Sequence, residues 1–372
     1  MRFVILSIFL SLLGWAHSTV DLSTEEEEAN FHYGVYGIAE YRTKDLYPHG
    51  IEGSVGYENH GAAKKIQLTH LGAYLYGKTE ADLIYGLELN HHKGAENTLN
   101  QTVERAYLGY ETETFGIRAG RGYNNLSFLN EKAWGYGFGS MPLAIDSFVD
   151  GTYIGDGLFA EYMYGSFKAY ADVTQDQYNK VLRSTLKAAY DLDTLMLIAY
   201  FQSRGTALTR VDYAQTQHSH GGTDDCTDLS RDERCFQRES RVFGLGFDTV
   251  LADIKVQGEY IYFDTEGSIE NSEYQIRSDN GIHTLYLQML GHYHHLIWGV
   301  RSEWFMLDNS YTGPGATEIA GPLVSEDANE IQDLQTLLIG YQFAEGNRFS
   351  VEAKHSQNGW AAQFNYFFLF GH

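Results

Sequence analysis

Trp360-Ala361-Ala362-Gln363-Phe364-Asn365-Tyr366-Phe367-Phe368-Leu369-Phe370 is the stretch from which the fold can be read. Trp360, Ala362, Phe364, Tyr366, Phe368 and Phe370 form one wholly apolar set. Ala361, Gln363, Asn365, Phe367 and Leu369 form the other, which begins small and polar. A period of two held over about ten residues marks a β-strand. The segment before it repeats the pattern. Phe349, Val351 and Ala353 alternate there with Arg348, Ser350, Glu352 and Lys354. Farther back, Ile254, Val256, Tyr260 and Tyr262 alternate with Lys255, Gln257 and Glu259, and Leu83, Tyr85, Leu87 and Leu89 with Asp82, Glu88 and Asn90.

Such alternation fits a soluble sandwich or a membrane barrel. In the barrel the apolar face meets lipid and the polar face lines the lumen. The connections separate the two. Short ones recur near Thr79-Glu80, Glu113-Thr114, Gly165-Ser166, Leu192-Asp193, Leu251-Ala252, Tyr293-His294 and Glu345-Gly346. Long polar ones fall near 44–63, 91–100, 124–156, 173–181, 205–239, 266–281, 308–331 and 356–359. Short turns at one end and long loops at the other are the mark of an outer-membrane barrel. Pro48, Pro142, Pro314 and Pro322 all fall in the long loops, as a hydrogen-bonded sheet requires. The strands are expected at 31–43, 64–78, 81–91, 101–112, 115–124, 157–165, 167–173, 181–191, 193–205, 240–249, 253–265, 282–293, 295–307, 332–344, 347–356 and 359–370. The expected fold is all-β: a transmembrane antiparallel barrel of about sixteen strands over 31–372, with short periplasmic turns and long extracellular loops.

Composition agrees. The 372 residues include 28 Tyr, 21 Phe and 39 Gly but only 4 Pro. Mean hydropathy of −0.33 argues against a bundle of membrane helices. Lys and Arg total 26 against 49 Asp and Glu, a net charge of −23. That balance argues against a nucleic-acid partner and against docking on anionic lipid. Met1-Arg2, the apolar run Phe3–Trp15 and the small residues around Ala16-His17-Ser18 read as a signal peptide over 1–18. An acidic leader, 19–30, follows with Glu25-Glu26-Glu27-Glu28. The expected destination is the bacterial outer membrane, with its lipid and lipopolysaccharide as surroundings.

The plan resembles the sixteen-stranded diffusion porins of Gram-negative bacteria, and Phe364–Phe370 resembles the carboxy-terminal assembly signal of that class. Here Gly371-His372 follows where the class usually ends on the aromatic residue. A second, local likeness covers Leu129-Asn130-Glu131, Trp134, Pro142-Leu143, Phe148 and Gly155-Asp156-Gly157-Leu158. These resemble a pattern in a His-rich outer-membrane group associated with zinc. Lys132-Ala133 fills the gap where that group carries histidines.

Chemistry-bearing residues are few. Cys226 and Cys235 lie in a polar stretch between two strands, and an exported chain would pair them in a loop disulfide. His218 and His220 nearby are weak metal candidates, since two imidazoles do not make a structural zinc site. His91-His92 and the His292–His295 group belong to opposite ends of a barrel. Gly-x-Ser-x-Gly, His-Glu-x-x-His and phosphate-loop motifs are absent, so neither an enzyme nor a cofactor is expected. Tyr74, Tyr76, Tyr162, Tyr164, Trp298, Trp304, Tyr341 and Tyr366 are expected in interfacial girdles, while Tyr107, Tyr170 and Phe305 fall on the polar face and could stack sugars.

The loop 124–156 combines Trp134, Tyr136 and Phe138 with Glu131, Asp146 and Asp150. So apolar a loop suits packing inside the barrel. Its acids would oppose Arg105, Arg118, Arg301 and Lys354, which alternate with lipid-type neighbours and should point inward. The expected function is a passive, mildly cation-selective channel for small hydrophilic solutes, with this loop as its constriction. The alternative is metal acquisition or surface binding through histidine-containing loops. Monomer and homotrimer both stay open, because a trimer contact and a lipid-facing wall read alike.

Overall fold

The computed structural model describes residues 31–43, 66–92, 102–128, 138, 142, 154–176, 181–212, 226–231, 233–320, 331–344, 347–357 and 359–371. Residues 1–18 and 19–30, expected as signal peptide and acidic leader, lie outside them. Sixteen antiparallel strands close into one barrel, each hydrogen-bonded to its sequence neighbours. They are β1 (Phe31–Arg42), β2 (Gln67–Lys78), β3 (Leu83–His92), β4 (Val103–Glu111), β5 (Phe115–Tyr123), β6 (Ile154–Tyr164), β7 (Phe167–Asp176) and β8 (Leu182–Asp191). Then come β9 (Leu195–Asp212), β10 (Glu233–Leu251), β11 (Ile254–Glu270), β12 (Gln275–Tyr293), β13 (Leu296–Thr312), β14 (Gln332–Ala344), β15 (Asn347–Ser356) and β16 (Gly359–Gly371). The ring closes where β1 pairs with β16, from Gly34 opposite Gly371 to Arg42 opposite Gln363.

The period of two sorts side chains as expected. Leu108, Leu186, Leu245 and Ile339 face outward and are largely exposed, as a lipid-facing band must be. Tyr164, Tyr190, Tyr293, Tyr341 and Phe370 add exposed aromatic rings near the short-turn end. Left-handed residues make those turns tight. Ala252 and Asp253 between β10 and β11 have φ of 48° and 67°, the geometry of a two-residue hairpin. His294 follows β12 at φ 53°.

Two tyrosines of the assigned girdles turn inward instead. Tyr74 and Tyr76 share the inner face of β2, and Tyr76 is buried among lumen side chains. Leu71 and Ala73 hold the outward positions of β2, and glycines make room inside. Gly34 leaves space for the Tyr74 ring, just as Gly72 leaves space for Tyr36 and Gly86 for Tyr107.

The strands β9–β13 are taller than expected, running 17 to 19 residues where most others have 9 to 13. The long loop expected at 266–281 is therefore a short turn. Asn271 closes it, its Oδ1 accepting from the amides of Glu273 at 3.0 Å and Tyr274 at 2.8 Å. Above the lipid zone the outward positions need no apolar side chain, so the alternation fades while the ladder continues. The inner face of this extension has its own core. Phe236, Ile269, Ile276 and Ile319 pack together, with Ile319 supplied by a one-turn helix α1 (Ala316–Ala320).

Candidate functional site in the barrel lumen

Opposite the lipid face, the lumen wall carries polar and charged side chains, organised in clusters. The first spans β1–β5. Glu88 accepts from the Tyr36 hydroxyl at 2.7 Å and the Tyr76 hydroxyl at 2.6 Å, and lies 3.3 Å from the Arg105 Nε. Arg105 also stacks over Tyr123, its guanidinium 4.5 Å from the ring centroid. A β-bulge sets this up. Glu88 pairs with Arg105 and Leu89 with Val103, so Glu104 is an extra residue. Glu104 and Arg105 therefore both face the lumen. Glu104 accepts from Asn90 Nδ2 at 2.7 Å and from the Tyr123 hydroxyl.

Across the barrel Arg301 and Glu303, two apart on β13, pair at 2.9 Å with both side chains almost fully enclosed. Lys354 Nζ lies 3.7 Å from Glu352 and donates to Gln363 Oε1 at 2.9 Å. Arg42 pairs with Glu40 at 2.7 Å. On the intervening wall Lys255 pairs with Asp248 at 2.9 Å, and Tyr286 donates to Glu259 at 2.8 Å. Arg118 stacks over Tyr107 and Phe159, 5.1 and 5.2 Å from their centroids.

Arg105, Arg118, Arg301 and Lys354 thus all point inward as the alternation predicts. All four have carboxylate neighbours on the wall itself: Glu88 for Arg105, Glu161 for Arg118, Glu303 for Arg301 and Glu352 for Lys354. Those acids were legible: Glu88 alternates with Leu87 and Leu89, Glu352 with Val351 and Ala353. Glu131, Asp146 and Asp150 lie outside the described residues, as do His218 and His220.

Described parts of the segment 124–156 sit against the inner wall. Asn124 donates to Asp172 at 2.5 Å and to Thr174 at 3.0 Å. Lys187 Nζ donates to Asn125 Oδ1 at 2.8 Å and to the Ser127 carbonyl at 3.0 Å. Leu126 and Phe128 join an apolar cluster with Tyr200, Val242, Ile261 and Phe263. Phe138 packs on Leu290, Ile297 and Leu338, under the Arg301 guanidinium at 4.8 Å. Of the motif near 155–158, Asp156 forms a two-point pair with Arg121, both bonds at 2.7 Å.

The three inward aromatics have different surroundings. Tyr107 lies beside Arg118 and Tyr170 beside Lys187, whereas Phe305 is buried in the apolar cluster. The disulfide Cys226–Cys235 is present, with Cα atoms 5.7 Å apart. Cys235 is not in a loop: it pairs with Arg210 and Glu270 inside β10, because β10 begins earlier than its apolar pattern. His91 and the His294-His295 turn stand at opposite ends of the wall. Among the described residues no three His, Cys, Asp or Glu side chains gather in a metal-holding arrangement.

No family model matches this chain, and no curated protein matches it. Solved structures do. OmpT of Vibrio cholerae, an outer-membrane protein, matches with a TM-score of 0.56 at 11% identity, over 93% of this chain and 100% of that one. Its in-vitro folded trimer form gives 0.53 at 11%, over 92% and 100%. OmpF of Salmonella typhi, solved in complex with daunomycin, gives 0.54 at 11%, over 91% and 97%. The fold is therefore that of sixteen-stranded outer-membrane porins.

Proposed function

We propose that this protein is a non-catalytic outer-membrane channel for passive diffusion of small hydrophilic solutes, exported by its 1–18 signal peptide. The observation that carries this reading is the closed barrel with an apolar outside and a charged inside, entered by the segment after β5. The segment 124–156 is assigned as the constriction. Arg105, Arg301 and Lys354 have acids beside them on the wall, so the sign of the eyelet falls to Glu131, Asp146 and Asp150. Mild cation selectivity follows. Association as a homotrimer in outer-membrane lipid and lipopolysaccharide fits the barrel type, one neighbour of which was solved as a trimer.

Insertion of purified protein into planar bilayers tests this. The expected result is ohmic current steps, in groups of three for a trimer, with a reversal potential on the cation side. Absence of steps from folded barrel, with tight zinc binding lost in His218→Ala, would replace the channel with metal acquisition.

A further inference from the structure

Two glycines of the inner wall stand where rings of the segment after β5 take the space of a side chain. Gly299 on β13 has Leu290 of β12 and Leu338 of β14 beside it in its row, and Ile297 and Arg301 above and below it on its own strand. The Phe138 ring fills this square. It packs on Leu290, Ile297 and Leu338, with its centroid 4.8 Å from the Arg301 guanidinium, and is 1% exposed. A Cβ at position 299 would meet the tip of that ring, 2.9 Å from Cζ and 3.1 Å from Cε2. Gly246 on β10 repeats the arrangement. Ile198 and Glu259 flank it in its row, and a Cβ there would lie 2.9 Å from Phe128 Cε2.

The described contacts of the segment follow the wall in order. Asn124 bonds to Asp172 and Thr174 on β7, and Asn125 and Ser127 to Lys187 on β8. Phe128 then sits at β10 and Phe138 at β13. Hydrogen bonds hold the first part, and the two rings hold the part farther round. Neither glycine has a left-handed φ, so the backbone does not demand it. Glycine inside a strand weakens the sheet and marks a place where something else approaches closely. Here the approaching group is a ring. The sheet lies behind each ring and wall side chains flank it, so a ring displaced from its seat moves toward the barrel axis. We propose that Gly246 and Gly299 are size-determining positions of the lumen. They seat Phe128 and Phe138 against the wall and so set the largest solute that passes. The proposal rests on the channel reading and adds the control of its width.

Swelling of phosphatidylcholine liposomes that hold the folded protein reads the width, with arabinose as the small probe and sucrose as the large one. Their ratio of rates does not depend on how much protein inserts. Gly299→Ala should lower the sucrose-to-arabinose ratio roughly tenfold, because pore diameter sets selectivity by size. Phe138→Leu, which removes the ring tip, should restore the ratio in the Gly299→Ala background. Gly246→Ala and Phe128→Leu should behave as a second such pair. The Met289 carbonyl also lies 3.0 Å from a Cβ at position 299. Should Gly299→Ala fail to fold for that reason, Phe138→Trp overfills the same seat without touching the sheet and should lower the ratio too. An unchanged ratio in Gly299→Ala and Phe138→Trp, or a lowered one that Phe138→Leu does not restore, would overturn the proposal. Wild-type protein that passes no arabinose would instead overturn the channel. Urea unfolding still reports the seat in that case, since the double variant should resist urea better than Gly299→Ala alone if ring and glycine are coupled.

Discussion

At the scale of single residues, the lumen is a set of charges that depend on one another. Glu88 illustrates the cost. Two tyrosine hydroxyls and Arg105 converge on it, and its side chain is nearly enclosed. Removing one partner of an enclosed ion pair strands the other, which typically costs about 3–5 kcal/mol. Glu88→Ala should therefore destabilise the barrel by that order in urea unfolding, and Glu88→Gln, which still accepts a tyrosine bond, by less. Arg105→Met in the Glu88→Ala background should recover part of the loss. Lys187 has another task, since its two hydrogen bonds pin Asn125 and Ser127 to the wall. Bonds from a charged donor are each worth about 1.5–3 kcal/mol. Lys187→Met should free the start of the inward segment without opening the sheet. The expected readout is greater open-channel current noise with an unchanged barrel content by circular dichroism. A quiet channel of wild-type conductance would mean that Leu126 and Phe128 hold the segment unaided.

Elements differ in how openly the sequence declares them. The register of β16 is written in Trp360 to Phe370, because every second residue there must satisfy lipid. Seven short connections were legible for a related reason, since the chain has to reverse between apolar runs. What stayed hidden lies where neither lipid nor a sharp turn constrains composition. The upper parts of β9–β13 are polar on the outside, like Gln237, Glu239 and Glu266, and so read as loop. The bulge at Glu104 was equally silent, because an extra residue changes no composition, only which side chains face inward. Within this tall region the disulfide ties residue 226 to β10. Its loop is short, so the chain-entropy model gives roughly 2–3 kcal/mol to the closed form. The ladder from Arg234 to Leu251 is hydrogen-bonded regardless. Reduction should leave the heat-modifiable mobility of the barrel unchanged, while making the 213–231 stretch more sensitive to protease. Two free thiols by intact mass, in protein isolated without reductant, would contradict the bond.

For the molecule as a whole, the question is where a net charge of −23 acts. Overall charge says little about a pore if the charges stand elsewhere. On the described wall, acids and bases are interleaved: Glu40 with Arg42, Glu88 with Arg105, Asp248 with Lys255, Glu303 with Arg301, Glu352 with Lys354. Such pairs nearly cancel a few ångströms into the lumen, because a dipole's field falls faster than that of a single charge. Meanwhile Asp264, Glu266, Asp279 and Asp308 lie on the outer face of the tall wall, away from any permeating ion. Selectivity should then hinge on the charges proposed for the narrowest level. Asp146 and Asp150 are the acids proposed there, and Arg118, stacked on two rings, is the base. Neutralising both aspartates to asparagine should move the reversal potential in a salt gradient toward zero, and Arg118→Ala should move it farther to the cation side. Because the wall pairs contribute little net field, substituting Lys255 and Asp248 together should leave it where it was. Unchanged potentials in the aspartate and arginine variants alike would mean that the segment 124–156 does not line the path of the ions.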